Sequence, residues 1–244
     1  MVIAQPYLSV IIPAYNEEKK IETDLAAALD YFRARTYSFE LIAVDDGSAD
    51  RTPEILGEWE KRAGGPLRAI CYRPNRGKGC AVRAGMLAAA GEVRLFADAG
   101  LCVPFSETER GLETIRGGAD VAVGSRKLAA SRVVEPQAAY RQWGSRAFGA
   151  LVRGAMGLGG ISDTQCGFKL FTARAAQEVF SASRIDGFMF DAETLLLARR
   201  RGFRIAEFPV EWRADPDSRY RPFSGSFRNL LELARIKLTN SGRS

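Results

Sequence analysis

Apolar and polar positions fall into two alternating rhythms along the first half of the chain. Compact apolar runs at Tyr7–Ile12, Phe39–Val44, Leu67–Tyr72, Val93–Ala97 and Ala119–Ser125 are rich in β-branched and aromatic residues, as buried strands are. Several stop abruptly at proline or aspartate. Between them the apolar spacing turns helical. Ile21, Leu25, Leu29 and Phe32 share one face after Asn16, and Thr52 followed by Pro53 reads as an N-cap and first helical residue ahead of Ile55, Leu56 and Trp59. Cys80 to Ala90 reads as a small-residue helix closed by Gly91, and Ser106-Glu-Thr-Glu109 has the form of a capping box opening a helix that ends near Gly117-Gly118. Strands separated by helices of about ten to fifteen residues predict right-handed crossovers, hence an α/β fold with a mainly parallel central sheet flanked by helices.

The rhythm changes after Ser125. Lys127 to Glu135 reads as loop, Ala138 to Met156 as a long helix and Asp163 to Phe171 as a short strand-like insertion. Thr172 is placed to cap a further helix, Phe190 to Arg200 is another, and Arg204 to Trp212 alternates like an antiparallel strand. No repeat or Pro/Gly/Ser linker divides the chain, so residues 1–244 are expected to form one domain, whose first half, 1–125, carries the regular βα units.

Composition narrows the chemistry. The sequence contains no histidine, which excludes Ser-His-Asp and Cys-His mechanisms and leaves oxygen ligands for any metal. Cys71, Cys80, Cys102 and Cys166 form no C-x-x-C pair and read as reduced packing residues of a cytoplasmic protein. There is no apolar run of membrane-spanning length and no secretory leader pattern. The net charge of +6 is compatible with phosphate-rich ligands, anionic lipid or nucleic acid, but no basic stripe interleaved with aromatics accompanies it, so nucleic acid is not an expected partner.

Candidate chemistry sits where strands end. Asp45 and Asp98 both stand just past predicted strands, the edge at which open parallel sheets bind ligands. Two carboxylates there could hold a base or ribose and a divalent cation, with Lys78, between two glycines, neutralising a diphosphate approached by the backbone. Each acidic turn taken alone is equally explained as an ordinary βα loop, since Asp favours turns. Neither G-x-x-x-x-G-K-[ST] nor an opening G-x-G-x-x-G is present, which argues against a P-loop and a dinucleotide fold.

The motifs Ser9-Val-Ile-Ile-Pro-Ala-Tyr-Asn-Glu17, Val44-Asp-Asp-Gly-Ser48, Asn75-Arg-Gly-Lys-Gly79 and Asp98 occur in the order seen in GT-A family 2 glycosyltransferases, which the chain resembles. Gly124-Ser-Arg126, Arg141 with Ser145, Asp163-Thr-Gln-Cys-Gly-Phe-Lys169 and Phe190-Asp-Ala-Glu193 look in addition like the polyprenyl-phosphate (dolichyl-phosphate) sugar transferases, from Leu8 to about Trp212. The resemblance implies that Pro13, Tyr15, Glu17 and Asp45, with the adjoining Asp46, bind the nucleotide sugar, and that Asp98 binds Mg²⁺ or Mn²⁺ and the diphosphate. It implies that Arg126, Arg141 and Ser145 hold the lipid phosphate, paired guanidinium donors being suited to that grip. Gln165 and Asp191 would contact the sugar or orient the arginines, although Asp191 also fits a helix-dipole charge. The second half then becomes an acceptor region, 126–225, followed by an amphipathic helix in 226–244.

The implied reaction is a single inverting displacement in which a hexose, glucose from UDP-glucose by the look of the 163–169 motif, moves to polyprenyl phosphate. The chain departs from the family's Asp-x-Asp at Asp98-Ala99-Gly100, which lacks the second carboxylate and leaves metal dependence open. The basic and apolar residues of Ser226–Leu238 fit either a peripheral membrane surface or a helix packed on the domain. A hydroxyl-acceptor transferase and a catalytically decayed sugar-nucleotide-binding protein stand as alternatives.

Overall fold

The computed structural model describes residues 5–135, 149–214, 229 and 231–236. The first four apolar runs form β1 (Leu8–Ala14), β2 (Phe39–Asp45), β3 (Leu67–Cys71) and β4 (Val93–Ala97), separated by α1 (Ile21–Arg33), α2 (Thr52–Ala63) and α3 (Lys78–Ala88). Then come a 3₁₀ turn (Phe105–Glu107), α4 (Thr108–Arg116), β5 (Val121–Ser125), β6 (Arg132–Glu135) and a helix whose described part is 149–156 (α5). The chain continues with β7 (Phe168–Thr172), α6 (Ala173–Ala182), α7 (Phe190–Arg200), β8 (Ile205–Pro209), β9 (Glu211–Arg213) and a helical stretch at 231–236 (α8).

Seven strands make one sheet in the order β3-β2-β1-β4-β7-β5-β8, all parallel except β7, which runs antiparallel to both its neighbours. Every residue of β1, β4 and β5 is buried, as strands covered on both faces must be. Alternate residues feed two cores. Ile11, Ile42, Val44 and Phe96 face α3, α6 and α7, while Val10, Ile12, Leu41 and Leu95 face α1, α2 and α4. Strand order reverses at β1, with β2 and β3 on one side and β4 on the other, which puts the topological switch point between β1 and β4.

Several sequence expectations need correction. The 163–171 segment is no insertion, because its strand, β7, fills the middle of the sheet. The 204–212 segment is parallel, β8 to β5 and β9 to β6, and the presumed loop 127–135 contains β6. Period-two alternation reports one-sided burial and carries no strand direction, which explains the miss. Thr52 begins α2 instead of capping it; its hydroxyl accepts from the Glu17 N–H at 2.8 Å and donates to Asp50 Oδ1 at 2.6 Å. Helix α3 starts at Lys78, two residues early, and ends at Ala88 before Gly91. Thr172 does cap α6, accepting from the Ala175 N–H.

The capping box at Ser106 does not form. The chain enters α4 through the 3₁₀ turn, with no side-chain cap bond, and Glu109 instead accepts the hydroxyls of Tyr31 (3.1 Å) and Tyr37 (2.8 Å) on one carboxylate oxygen. Burial and this carboxylate push the Tyr31 hydroxyl up to about 12. The long helix expected over 138–156 is described from 149 onward; its earlier part, with Arg141 and Ser145, lies outside the described residues. In the C-terminal helix, Leu233 and Ile236 are buried in the core that contains Phe190, so this stretch packs on the sheet's helical layer. Among the described residues no helix is long and apolar enough to cross a membrane.

The rewired Glu109 makes a distinguishing prediction. In urea unfolding, Glu109→Gln is expected to lose about 1–3 kcal/mol by weakening a charged acceptor shared by two hydroxyls, whereas Ser106→Ala should stay within about 0.5 kcal/mol of the parent. A capping box would give the reverse ranking.

Candidate active site

The carboxyl ends of β1, β2, β4 and β5 and the start of β7 all open on one edge of the sheet. The β1–β4 ladder ends at Ile11 opposite Phe96, and beyond it β1 continues through the buried Pro13 while β4 gives way to Asp98. Tyr15 is 40% exposed at the crevice mouth. Asn16, at φ 52°, ties the first loop to the second: its N–H donates to Ser48 Oγ at 2.7 Å and its Oδ1 accepts from Ala49 N at 2.7 Å. Asp45 is buried and accepts the Ser48 N–H, closing an Asx-type turn. The Glu17 carboxylate lies 3.3 Å from Lys20 Nζ.

Asp46, expected among the nucleotide-sugar ligands, is committed elsewhere. Its carboxylate accepts from Tyr72 Oη, Asn75 Nδ2, Arg76 N and Gly77 N, all at 2.8–2.9 Å. Four donors fill the acceptor sites of one carboxylate, so Asp46 shapes the 72–77 loop. That loop leads into Gly77-Lys78-Gly79, whose glycines make room for neighbouring backbone. A Cβ at Gly77 or Gly79 would overlap the carbonyl of Asp186 or Ile185, and the Gly79 N–H donates to the Asp186 carbonyl at 2.7 Å. The 184–186 turn is held in turn by the buried Glu193, which accepts from the N–H groups of Arg184 and Ile185, and by Arg83 at 2.5 Å from Asp186.

This packing fixes Lys78, whose Nζ lies 2.6 Å from Asp98 Oδ1. Burial lowers the Lys78 pKa, but the charges of Asp98 and Asp191 outweigh it and the net direction is up, so the ammonium is retained. Asp98 is set by β7: its N–H donates to the Gly167 carbonyl at 2.9 Å, and its carboxylate occupies the space that a Cβ at Gly167 would fill.

Two further ion pairs flank this one. Lys169, fully buried on β7, donates to the Cys166 carbonyl at 2.6 Å and pairs with Asp191 at the start of α7. Burial pushes the Asp191 carboxyl up against the opposing pull of Lys169 and Lys78. Arg126, just past β5, makes a two-pronged contact with Asp163, Nε to Oδ2 at 2.7 Å and Nη2 to Oδ1 at 2.8 Å. Burial works to raise the Asp163 pKa, but Arg126 overrides it and holds the carboxyl at about 2. Glu207 on β8 supports the turn by accepting from Ser162 N, Ser162 Oγ and Asp163 N. Gln165 donates its N–H to Asp163 Oδ1 at 3.4 Å, and its buried Nε2 lacks a hydrogen-bond partner among the described residues.

Asp163, Lys169 and Glu207 received no individual role in the sequence reading. A lysine inside the apolar run Phe168-Lys-Leu-Phe171 was the available signal, since an unpaired charge does not belong in a buried strand. Asp191 stands in the first turn of α7, where a helix-dipole charge would sit, and it is buried and paired with Lys169.

The donor set that Mg²⁺ or Mn²⁺ would find at this edge is small. Asp98 is its one family-type acid, and Lys78 already stands on it. Position 100 is a glycine at φ 95° whose N–H donates to the buried Asp24 at 2.8 Å. No group of three or more Cys, Asp or Glu suited to a metal occurs among the described residues. A divalent ion sharing Asp98 would meet the ammonium with a repulsion of about 4 kcal/mol per unit charge product at ~4 Å and an effective dielectric of ~20. These residues do not fit a metal held by the protein.

Comparison with known proteins supplies the family context. Residues 9–180 match the profile of glycosyl transferase family 2. The chain is 34% identical over 243 residues to a dolichyl-phosphate beta-glucosyltransferase of Dictyostelium discoideum, covering 95% of this chain and 74% of that one. It is 36% identical over 228 residues to the mouse enzyme of the same name, covering 88% and 70%. Among solved structures, glucosyl-3-phosphoglycerate synthase from Mycobacterium tuberculosis, crystallised with Mn²⁺, UDP and phosphoglyceric acid, superposes with a TM-score of 0.70 over 99% of this chain and 80% of that one at 20% identity, a likeness of fold.

The Arg126–Asp163 pair gives a pH-dependent prediction. Its carboxyl is depressed to about 2 in the folded state, against ~3.9 unfolded. The stabilisation is therefore present above pH ~4 and fades as pH falls through about 2. Asp163→Asn is expected to cost about 3 kcal/mol at pH 7. In urea titrations the gap between variant and parent should narrow steadily below pH ~4.

Proposed function

Because the chain belongs to glycosyl transferase family 2 and has the GT-A fold, we propose that this glycosyltransferase moves glucose from UDP-glucose to a polyprenyl phosphate of the dolichyl type. The observation that carries the substrates is the near full-length similarity to enzymes named dolichyl-phosphate beta-glucosyltransferases. In this reading Pro13, Tyr15, Glu17 and Asp45 frame the nucleotide, Lys78 and Asp98 face the diphosphate and sugar, and Gln165 offers its unpartnered amide to a sugar hydroxyl. Arg126 uses Nε and Nη2 on Asp163, which holds the guanidinium rigid and leaves Nη1 for an oxygen of the acceptor phosphate, the group that Arg141 and Ser145 are also proposed to bind.

The chemistry suits a phosphate acceptor. A phosphate monoester with a second pKa near ~6 is largely dianionic at pH 7 and needs no base to become a nucleophile. Its oxygen attacks the anomeric carbon and forms the new C–O bond. The bond from that carbon to the diphosphate breaks on the opposite face, and its electron pair leaves with UDP. Catalysis then consists of alignment and of cationic donors waiting where charge develops. The acceptor is membrane-borne, so the enzyme works as a peripheral protein at the cytoplasmic face.

The test is incorporation of labelled glucose from UDP-glucose into a solvent-extractable product with a short polyprenyl phosphate. Extraction of label is expected with UDP-glucose and not with GDP-mannose. Transfer that needs no lipid phosphate would sink the acceptor assignment. Arg126→Lys keeps a charge for Asp163 but loses the planar fork, and should raise KM for the lipid phosphate about tenfold with little change in KM for UDP-glucose.

A further inference from the structure

We infer that Lys78 takes the place of a protein-held divalent cation at the donor diphosphate, so that this enzyme binds its nucleotide and turns over without metal. The inference rests on the UDP-glucose reading above and concerns how the same site handles the charge of its donor.

Three independent features of the edge carry it. The first is the backbone at position 100. Gly100 at φ 95° is followed by Leu101 at φ 49°, and the Gly100 N–H is tied to Asp24 on α1 at 2.8 Å. An acid at 100 would have to adopt a conformation that residues with a Cβ rarely accept. The loop is thus built around a glycine turn and is not a carboxylate loop missing one side chain.

The second is the placement of Lys78. A surface lysine near an acid is ordinarily a mobile partner of little consequence. Here the residue occupies the first turn of α3, between glycines seated on the Ile185–Asp186 backbone, and its side chain is 22% exposed. Its ammonium is delivered to Asp98 at 2.6 Å by packed backbone, in the position from which a cation on Asp98 would act.

The third is the commitment of the other carboxylates. Asp191 neutralises Lys169, Asp163 is gripped by Arg126, Asp45 closes its own turn on Ser48, and Asp46 is filled by four donors. Among the described residues no group of three acids suited to a metal occurs, and a divalent ion on Asp98 would have to displace an ammonium. Magnesium tolerates few carboxylates but requires near-octahedral oxygen coordination. When the anomeric C–O bond breaks, the electron pair moves to the β-phosphate oxygen, and the N–H donors of Lys78 meet that charge with no proton transferred.

Calorimetric titration of UDP into the full chain, in EDTA and then in Mn²⁺, tests this directly, with labelled-glucose transfer followed in the same two buffers. Wild type should bind UDP with a Kd equal within about twofold in both, and should retain turnover in EDTA. Lys78→Met should weaken UDP binding by at least about tenfold. The wild-type comparison stands by itself should that variant fold poorly. UDP binding that tightens tenfold or more with Mn²⁺, turnover abolished by EDTA, or unchanged binding by a folded Lys78→Met each overturns the inference while leaving the donor assignment intact. No UDP binding in either buffer overturns the donor assignment, and the inference with it.

Discussion

Lys169 places a charge at the centre of the sheet, and the edge that carries the candidate site is arranged by the need to neutralise it. β7 enters antiparallel between two parallel strands, with Lys169 opposite Phe96 on one side and Val123 on the other, and fully buried. An ammonium in that position is tolerable only with a partner and satisfied donors. Asp191 supplies the partner, which requires the first turn of α7 to reach the same edge. The segment before α7 then lies across the start of α3, and only glycines at 77 and 79 allow it to pack there. A single buried cation thereby dictates where a second one, Lys78, must sit.

Among the ion pairs of the edge are Lys169–Asp191, Lys78–Asp98 and Arg126–Asp163. They are graded in burial. The Lys169–Asp191 pair is sealed from water, Asp163 is buried beneath a partly exposed arginine, and Lys78 and Asp98 are both partly exposed. The sealed pair cannot rearrange without a large desolvation penalty and acts as scaffold. The most open pair is the one that an incoming anion can reach and reorganise. Its ammonium is open to an anion other than Asp98, whereas that of Lys169 is sealed on Asp191.

Much of this was legible in the residues. Apolar runs located the first five strands, and their abrupt ends at Asp45 and Asp98 located the edge, because burial on both faces of a parallel sheet leaves a continuous apolar signature. What could not be read was set by partners distant in sequence. Asp46 looks like Asp45 until Tyr72, Asn75, Arg76 and Gly77 arrive to fill it. Glu109 fits a local capping box and is claimed instead by two tyrosines from the neighbourhood of α1. Gly77 and Gly79 suggest a phosphate loop by composition, yet they make room for backbone more than a hundred residues further along the chain. The directions of β8 and β9 were missed for a related reason, since pairing partners and not local alternation decide whether a strand runs with or against its neighbours.

Gly167 carries no functional group, and Asp98 lies directly against its α-carbon. The position therefore acts as a mould. Its emptiness defines where the carboxylate rests, as firmly as a hydrogen bond would. Tolerance to substitution at this edge is consequently asymmetric. A charged residue can change partner by rotating its side chain, but an alanine at 167 would put its Cβ into the Asp98 carboxylate and leave that carboxylate no room. The least substitutable part of the site is then a volume without atoms, and a residue with no chemistry of its own records the shape of the chemistry next to it.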